Sequence, residues 1–343
     1  MAVDPVALPH PAEPEPLAPE EFQRLAREIE AAVARTVVGQ EEAVRGALTC
    51  LACGGHALLE GVPGLGKTTM ARALAAALDL EPKRIQFTPD LMPADITGTT
   101  VLLQSAGGDS ELRFEPGPIF ANVVLADEIN RAAPRTQSAL LEAMQERTVT
   151  TANTTRELPD PFFVIATQNP VEMYGTYPLP EAELDRFFLK LNFDFPPAGE
   201  LNAMVARTTG EDAAAPEPVA PVADAGTVAR MRALVRQVPA AGHVVDYATR
   251  LVLSLHPEQE GAPEQLRRCV RLGPSPRGIQ AMVLAGRVAA LIDGRPNLAV
   301  EDVRAVAHAA LRHRLVLTID AERQGVGPDE IIDEALASLR REA

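Results

Sequence analysis

Residues 61–68 read GVPGLGKT, directly after the apolar run His56-Ala57-Leu58-Leu59-Glu60. Directly after them comes Lys67–Leu78, KTTMARALAAAL, whose apolar residues recur at helical spacing. The eight residues fit the pattern GxxxxGK followed by Ser or Thr, and strand, glycine-rich turn, helix is the context in which that pattern has a mechanism. Gly61, Gly64 and Gly66 let the backbone curl so that successive N–H groups point at one anion, and the helix start adds its partial positive charge. Lys67 supplies a mobile cation for the outer phosphates, Thr68 a hydroxyl for Mg²⁺, and Pro63, Leu65 and Thr69 complete the turn. This stretch predicts a cradle for the phosphates of ATP at a strand–helix junction.

Four more short apolar runs follow in the first 195 residues: Arg84–Thr88, Val123–Ala126, Phe162–Thr167 and Phe187–Phe195. Several are continuous rather than alternating, as in strands covered on both faces. Helical patterns such as Lys67–Leu78 and Thr136–Gln145 separate them, which predicts a parallel sheet with right-handed crossovers. In such a sheet ligands bind beyond the carboxyl ends of the strands. Residues 121–131, ANVVLADEINR, end an apolar run on two acids, Asp127 and Glu128, and the fourth run ends in Thr167-Gln168-Asn169. All are therefore expected beside the phosphate turn. Asp127 is placed to hold Mg²⁺ through its water shell, Glu128 to act as general base on the attacking water, and Asn169 to orient that water. The fold class expected is α/β, a P-loop NTPase sheet with flanking helices over residues 21–210.

Two inserts interrupt this rhythm. Residues 100–116 predict a hairpin around Gly107-Gly108, and residues 147–159, RTVTTANTTRELP, a second one about Asn153. Neither is needed to complete the sheet, so both are candidates for partner contact. Residues 211–226, EDAAAPEPVAPVADAG, read as a linker. From 227 to 343 the pattern turns helical: Val228, Met231, Leu234, Val235 and Val238 share one face, and a last helix opens at Pro328 with Asp329 and Glu330 in its first turn. An all-α domain is expected to follow the α/β one.

Composition narrows the function. Lys+Arg 32 against Asp+Glu 47 gives a net charge of −15, which opposes a polyanionic partner, and aromatics at 4% with no Trp leave few platforms for base stacking. No nucleic-acid partner is expected. The N-terminal stretch to residue 20 is Pro/Glu-rich, reads as a disordered arm and lacks the pattern of a secretory signal. With no span of membrane length, a cytoplasmic protein without membrane insertion is expected. Cys50, Cys53 and Cys269 make no disulfide framework, and the Cys50–Cys53 spacing lacks a second ligand pair for zinc, so the thiols read as small core residues. No HRD or DFG tripeptide is present, which excludes a protein kinase.

Three blocks, ADEINRAAPRTQSALLEAMQER (126–147), FFVIATQNPVEMYGTYPLPEAELDRF (162–187) and GPSPRG (273–278), closely resemble the MoxR family of AAA+ ATPases, and the likeness runs from about Phe22 to near the C-terminus. The resemblance implies an AAA+ core followed by a helical lid, working as a homo-oligomeric ring, typically a hexamer, with each nucleotide at a subunit junction. Arg186 matches the family's arginine finger and Arg277 its sensor-2 arginine. Val38-Gly39-Gln40 resembles the stretch that packs near adenine. GPSPR stands where GASPR is more usual. The family further implies a chaperone that uses ATP to mature protein complexes, often with a separate von Willebrand A domain protein. The chain has no DxSxS motif of its own for that domain. The two hairpins correspond to inserts that face the ring's pore or axial surface.

Two other readings use the same residues. A nucleotide-gated scaffold would employ hydrolysis only as a slow timer, and a DNA-remodelling motor would need the basic tract that the charge argues against. Neither the client nor the pathway is written in the sequence.

Overall fold

The computed structural model describes residues 14–62, 64–104, 110–169, 175–209, 218–259 and 262–341. Helices α1 (Pro19–Ala34) and α2 (Glu41–Cys53) lead into β1 (Ala57–Glu60), and α3 (Lys67–Ala77) crosses to β2 (Pro82–Gln86). After α4 (Pro93–Thr97) come a ribbon of β3 (Gly98–Gln104) and β4 (Ser110–Pro116), then β5 (Val123–Asp127) and α5 (Pro134–Glu146). A second ribbon, β6 (Thr148–Thr151) and β7 (Thr154–Glu157), precedes β8 (Phe163–Gln168), α6 (Glu181–Leu184), β9 (Leu189–Asn192) and α7 (Ala198–Thr209). The rest is α8 (Ala225–Gln237), α9 (Gly242–Leu253), α10 (Glu264–Cys269), β10 (Val270–Leu272), α11 (Pro276–Ile292), α12 (Val300–Leu311), β11 (Val316–Leu317), α13 (Ile319–Gln324) and α14 (Pro328–Arg341).

Five strands form the central sheet in the order β2-β5-β8-β1-β9, every neighbouring pair parallel. The near-continuous apolar runs have the reason expected of them. Alternate residues of a strand point to opposite faces, and here both faces are covered. Leu58, Val124, Ala126, Val164 and Ala166 enter one core with α5, while Ala57, Leu59, Leu125, Ile165 and Leu191 enter the other with α1 to α3 and the C-terminal helices.

Both hairpins form in the expected places. β3 pairs antiparallel with β4, and β6 with β7, around Ala152 and Asn153 at φ +49° and +63°, the left-handed pair that suits a two-residue turn. The Arg156 guanidinium lies 3.8 Å from the Phe114 ring centroid and so joins the two ribbons. The tip at Gly107-Gly108, residues 1–13 of the N-terminal stretch and residues 211–217 of the linker lie outside the described residues.

Three details differ from the sequence reading. α1 starts at Pro19, inside the stretch read as an arm, and Leu17 ahead of it is buried. The fifth strand covers only Leu189–Asn192 of the run Phe187–Phe195, because the Phe187 and Phe188 carbonyls accept from His313 and Arg314 instead of a strand neighbour. The C-terminal domain is helical apart from the short antiparallel pair β10–β11. Among the described residues no helix is long and apolar enough to cross a membrane.

Arg314 fastens the C-terminal helices to the sheet. Its side chain is 3% exposed, and it donates to Asp185 Oδ1 (2.8 Å), to the carbonyls of Phe187 (2.7 Å) and Phe188 (3.2 Å), and to Ala310 O. A buried cation is tolerable only when its donors are so engaged.

His56 plays a similar part where β1 begins. Nδ1 accepts from Val164 N–H (3.0 Å), so the proton sits on Nε2 and is donated to Met144 O (3.1 Å). Protonating Nδ1 would destroy one of these bonds in a buried place, and burial pushes the imidazole down to about 3. The unfolded chain takes up the proton near pH 6.5, so this contribution to stability is complete above that pH and is lost as pH falls towards about 3. Urea unfolding between pH 7 and pH 5 should therefore show stability falling by about 1.4 kcal/mol per pH unit from His56 alone below pH 6.5. The His56→Gln chain should show a slope shallower by that amount, and an unchanged slope would contradict a neutral His56.

Candidate active site

The turn at residues 61–68 leaves the carboxyl end of β1, and its backbone is shaped as the glycines suggested. Gly64 and Gly66 have φ of +86° and +98°, and Gly66 starts α3 with no side chain capping the helix. The first N–H groups of α3 therefore lack a side-chain acceptor at the place where an anion would sit. Gly61 is required for a different reason: a Cβ there would lie 2.3 Å from the Phe193 carbonyl oxygen, a backbone atom that cannot swing aside. Leu65 is buried in the core and anchors the turn, Thr68 is half-buried and Thr69 exposed. Pro63 lies outside the described residues.

Lys67 folds back to donate to the Gly61 carbonyl. Burial pushes its ammonium below the ordinary lysine range, and the charges of Asp127, Glu128 and Glu60 pull the other way. Glu60 and Asp127 end β1 and β5 and Glu128 follows β5 directly, so the parallel sheet has brought all three to one cation.

Asp127 and Glu128 are held apart by the backbone. Glu128 is in the left-handed region at φ +57°, ψ +51°, uncommon for a residue with a side chain. That bend lets Glu128 N–H donate to Thr167 Oγ1 (2.8 Å), whose own proton goes to Asp127 Oδ1 (2.7 Å). One hydroxyl on β8 thus positions both acids. Arg84, on the neighbouring β2, donates to Asp127 Oδ2 from Nε (3.1 Å) and Nη2 (2.6 Å). Glu128 Oε2 accepts from Arg131 Nη1 (2.8 Å) and Gln86 Nε2 (2.9 Å). Asn169, 7% exposed, follows β8 on the same edge of the sheet.

Val38-Gly39-Gln40 approaches from the side of β9. Gln40 is buried and donates from Nε2 to Asp194 O (2.8 Å), while Gly61 abuts Phe193 one residue earlier, so both stretches pack on the chain leaving β9.

The two arginines lie elsewhere. β9 runs parallel to β1, and Arg186 precedes β9, on the amino edge of the sheet, whereas the phosphate turn follows the carboxyl edge of β1. Arg186 Nη1 donates to Leu141 O on α5 (3.1 Å). Arg277, at the start of α11, has Nη1 3.7 Å from Asp185 Oδ2, and its neighbour Ser275 donates to the same carboxylate (2.9 Å). Within one chain, Arg277 therefore belongs with Asp185 and Arg186 and not with the phosphate turn, because Arg314 docks the C-terminal helices at the amino end of β9.

Sequence reasoning missed Arg84, Gln86 and Arg131, the donors that hold the two acids. One signal was present: Arg84 and Gln86 are two apart on a strand and so share a face. Only the pairing of β2 with β5 says which acids they meet.

Comparison with known proteins bears on this arrangement. Residues 56–189 match the family described as "ATPase family associated with various cellular activities (AAA)", and residues 264–335 match the AAA lid domain. The chain is 39% identical over 307 residues to Chaperone MoxR1 of Mycobacterium tuberculosis, covering 90% of this chain and 80% of that protein. The chain belongs to the MoxR family of AAA+ ATPases. It is likewise 41% identical to YeaC of Bacillus subtilis over 309 residues, 89% of this chain and 91% of YeaC. A crystal structure of a Cytophaga hutchinsonii protein superposes with a TM-score of 0.85 at 36% identity, covering 93% of this chain and 95% of that one. The MoxR-type core is thus the five-stranded sheet, and the C-terminal helices are its lid.

Gly61→Ala should weaken binding of a fluorescent ATP analogue by at least about tenfold, roughly 1.4 kcal/mol, since the added methyl forces the turn away from Phe193. Gly64→Ala meets no atom within 4 Å, and its cost comes from φ alone. Equal affinity of Gly61→Ala and the unsubstituted chain would remove Gly61 from the cradle.

Proposed function

We propose that this MoxR-family chain hydrolyses Mg²⁺-ATP as a ring of identical subunits, each site being completed by a neighbour, and that it remodels protein clients as a chaperone. The observation that carries this reading is the separation of the site's parts. Lys67, Asp127, Glu128 and Asn169 share the carboxyl edge of the sheet, whereas Arg186 and Arg277 occupy the amino edge. A second copy offering its amino edge to that carboxyl edge would supply the missing cations.

The residues present suit Mg²⁺-ATP. The uncapped start of α3 and the positive-φ glycines fit phosphate oxygens, and Lys67 is a cation already desolvated. Thr68 and Asp127 are the oxygen donors a hard divalent cation takes, Asp127 Oδ1 keeping a lone pair beyond the one used by Thr167. When bound, the ion would neutralise charge on the β- and γ-phosphates. Glu128 would take the proton of the attacking water; Arg131 and Gln86 both donate to Oε2, which leaves Oε1 to receive it. Asn169 would orient the water, and a neighbour's Arg186 would stabilise the charge of the transferred phosphoryl group. Arg277 would act from the lid, again toward the adjoining subunit.

The remodelling part of the reading rests on the relative named as a chaperone and on the ribbons. Leu102 and Leu112 stand directly opposite each other on β3 and β4, 59% and 70% exposed, an apolar pair suited to touching another protein. A separate von Willebrand A domain partner, a hexameric ring and a cytoplasmic setting belong to the same reading.

Hydrolysis per subunit should climb with protein concentration and fall by about 10³ or more in Arg186→Ala. Glu128→Gln should keep ATP binding and lose turnover. A rate independent of concentration and indifferent to Arg186→Ala would mean that each chain works alone.

A further inference from the structure

Three acids act on the Lys67 ammonium, Asp127, Glu128 and Glu60, and each carries a cation of its own. Glu60 pairs with Lys190 (2.9 Å), Glu128 with Arg131 (2.8 Å) and Asp127 with Arg84 (2.6 Å). These seven groups therefore hold one net positive charge, in a chain whose net charge is −15. Such a cluster attracts a polyphosphate and opposes a free divalent cation, although it contains the carboxylate that a cation would need.

Of the three cations, Arg84 is the one that sits on the candidate metal ligand. β2 pairs with β5 so that Arg84 stands opposite Leu125, two residues before Asp127 and on the same face. Its fork reaches diagonally to Asp127 Oδ2 from Nε (3.1 Å) and Nη2 (2.6 Å). Gln86, two residues further along β2, accepts from the same Nη2 through Oε1 and donates from Nε2 to Glu128 (2.9 Å). The guanidinium is thus fixed over the carboxylate from two sides. Asp127 does not depend on it for its place. Thr167 Oγ1 donates to Oδ1 (2.7 Å), and the Asp127 side chain is 16% exposed at the end of a strand paired on both sides. What Arg84 adds is charge, beside an oxygen, Oδ1, that keeps one further lone pair.

We propose that Arg84 sets the affinity of this site for a divalent cation: by neutralising Asp127 it keeps that affinity low, so that the cation is held only together with the triphosphate. This rests on the reading of Thr68 and Asp127 as the donors to such a cation. Two effects of Arg84 oppose each other. Its hydrogen bonds orient Asp127, which favours a metal, and its charge repels one. Thr167 and the strand pairing supply orientation without it, whereas no other cation pairs with Asp127 among the described residues, so the charge decides the sign. Arg84 is a positioning and tuning residue here, acting on the metal through Asp127.

The test follows Mn²⁺, in place of Mg²⁺, by electron paramagnetic resonance on the full chain, with and without a non-hydrolysable ATP analogue. The unsubstituted chain should take up Mn²⁺ with the analogue and bind it at least about tenfold more weakly without. With the analogue present, Arg84→Gln should bind Mn²⁺ about three- to tenfold more tightly, the size expected when a partly exposed unit charge leaves the neighbourhood of a divalent ion. Arg84 is 45% exposed on an edge strand, so the replacement leaves the core intact. Arg84→Lys, which keeps the charge and loses the fork, should stay within about twofold of the unsubstituted chain. The gain in Arg84→Gln should shrink as KCl rises from about 50 to 500 mM, a dependence that a purely structural role would not produce. Mn²⁺ binding that is unchanged or weaker in Arg84→Gln overturns the proposal and leaves the metal site standing, since Arg84 would then only hold Asp127 in place. Analogue bound without Mn²⁺ in both chains overturns the metal reading of Asp127 and the proposal with it.

Discussion

The parallel pairing of β1 between β8 and β9 is the constraint from which the rest of the molecule follows. Glu60 is in register with Gln168 on one side and Asn192 on the other, so the chain leaving β1 must turn beside the ends of both neighbours. Parallel strands put all such ends on one edge, and the phosphate turn, the two acids and Asn169 meet there without any side chain having to steer them. The same polarity puts whatever precedes β9 on the opposite edge. The placing of the candidate residues on two opposite edges is thus a consequence of strand direction.

On the carboxyl edge, electrostatics decides the finer positions. Two adjacent carboxylates repel, and the backbone bend at Glu128 separates them by sending consecutive side chains to different donors. Arg84 takes one and Arg131 with Gln86 takes the other, while Thr167 binds a group of each. The left-handed conformation costs on the order of 1 kcal/mol, and the hydrogen bond from Glu128 N–H to Thr167 offsets it. Lys67 faces these acids with its ammonium partly desolvated, a charge balance that a bound polyphosphate would change.

On the amino edge the lid is fastened by buried polar groups. Arg314 and His313 pass through the apolar contact to reach backbone carbonyls at Phe187 and Phe188, while His56 accepts from Val164 N–H on β8 and donates to Met144 O on α5. Such groups are specific because a misplaced lid would leave a cation or carbonyl unpaired. They also explain why the helical domain sits where Arg277 faces away from its own phosphate turn.

The local features were legible in the sequence. The run from His56 to Leu78 read as strand, turn and helix because glycines at 61, 64 and 66 sit between an apolar run and a helical period, and the near-continuous apolar runs read as strands covered on both faces. The hairpin about Asn153 followed from turn chemistry of the same short range. Of the cysteines read as core residues, Cys50 and Cys269 are buried and Cys53, which ends α2, is half-buried against the core; burial pushes the Cys50 and Cys53 thiols up. What the sequence could not contain was the identity of partners far apart in the chain. That Arg84 meets Asp127 and that Arg314 meets Asp185 depend on strand order and lid docking. The physical reason is one of range. Backbone conformation and hydrophobic period are set by neighbours within a few residues, whereas the pairing of a charge is settled only when separate elements have packed.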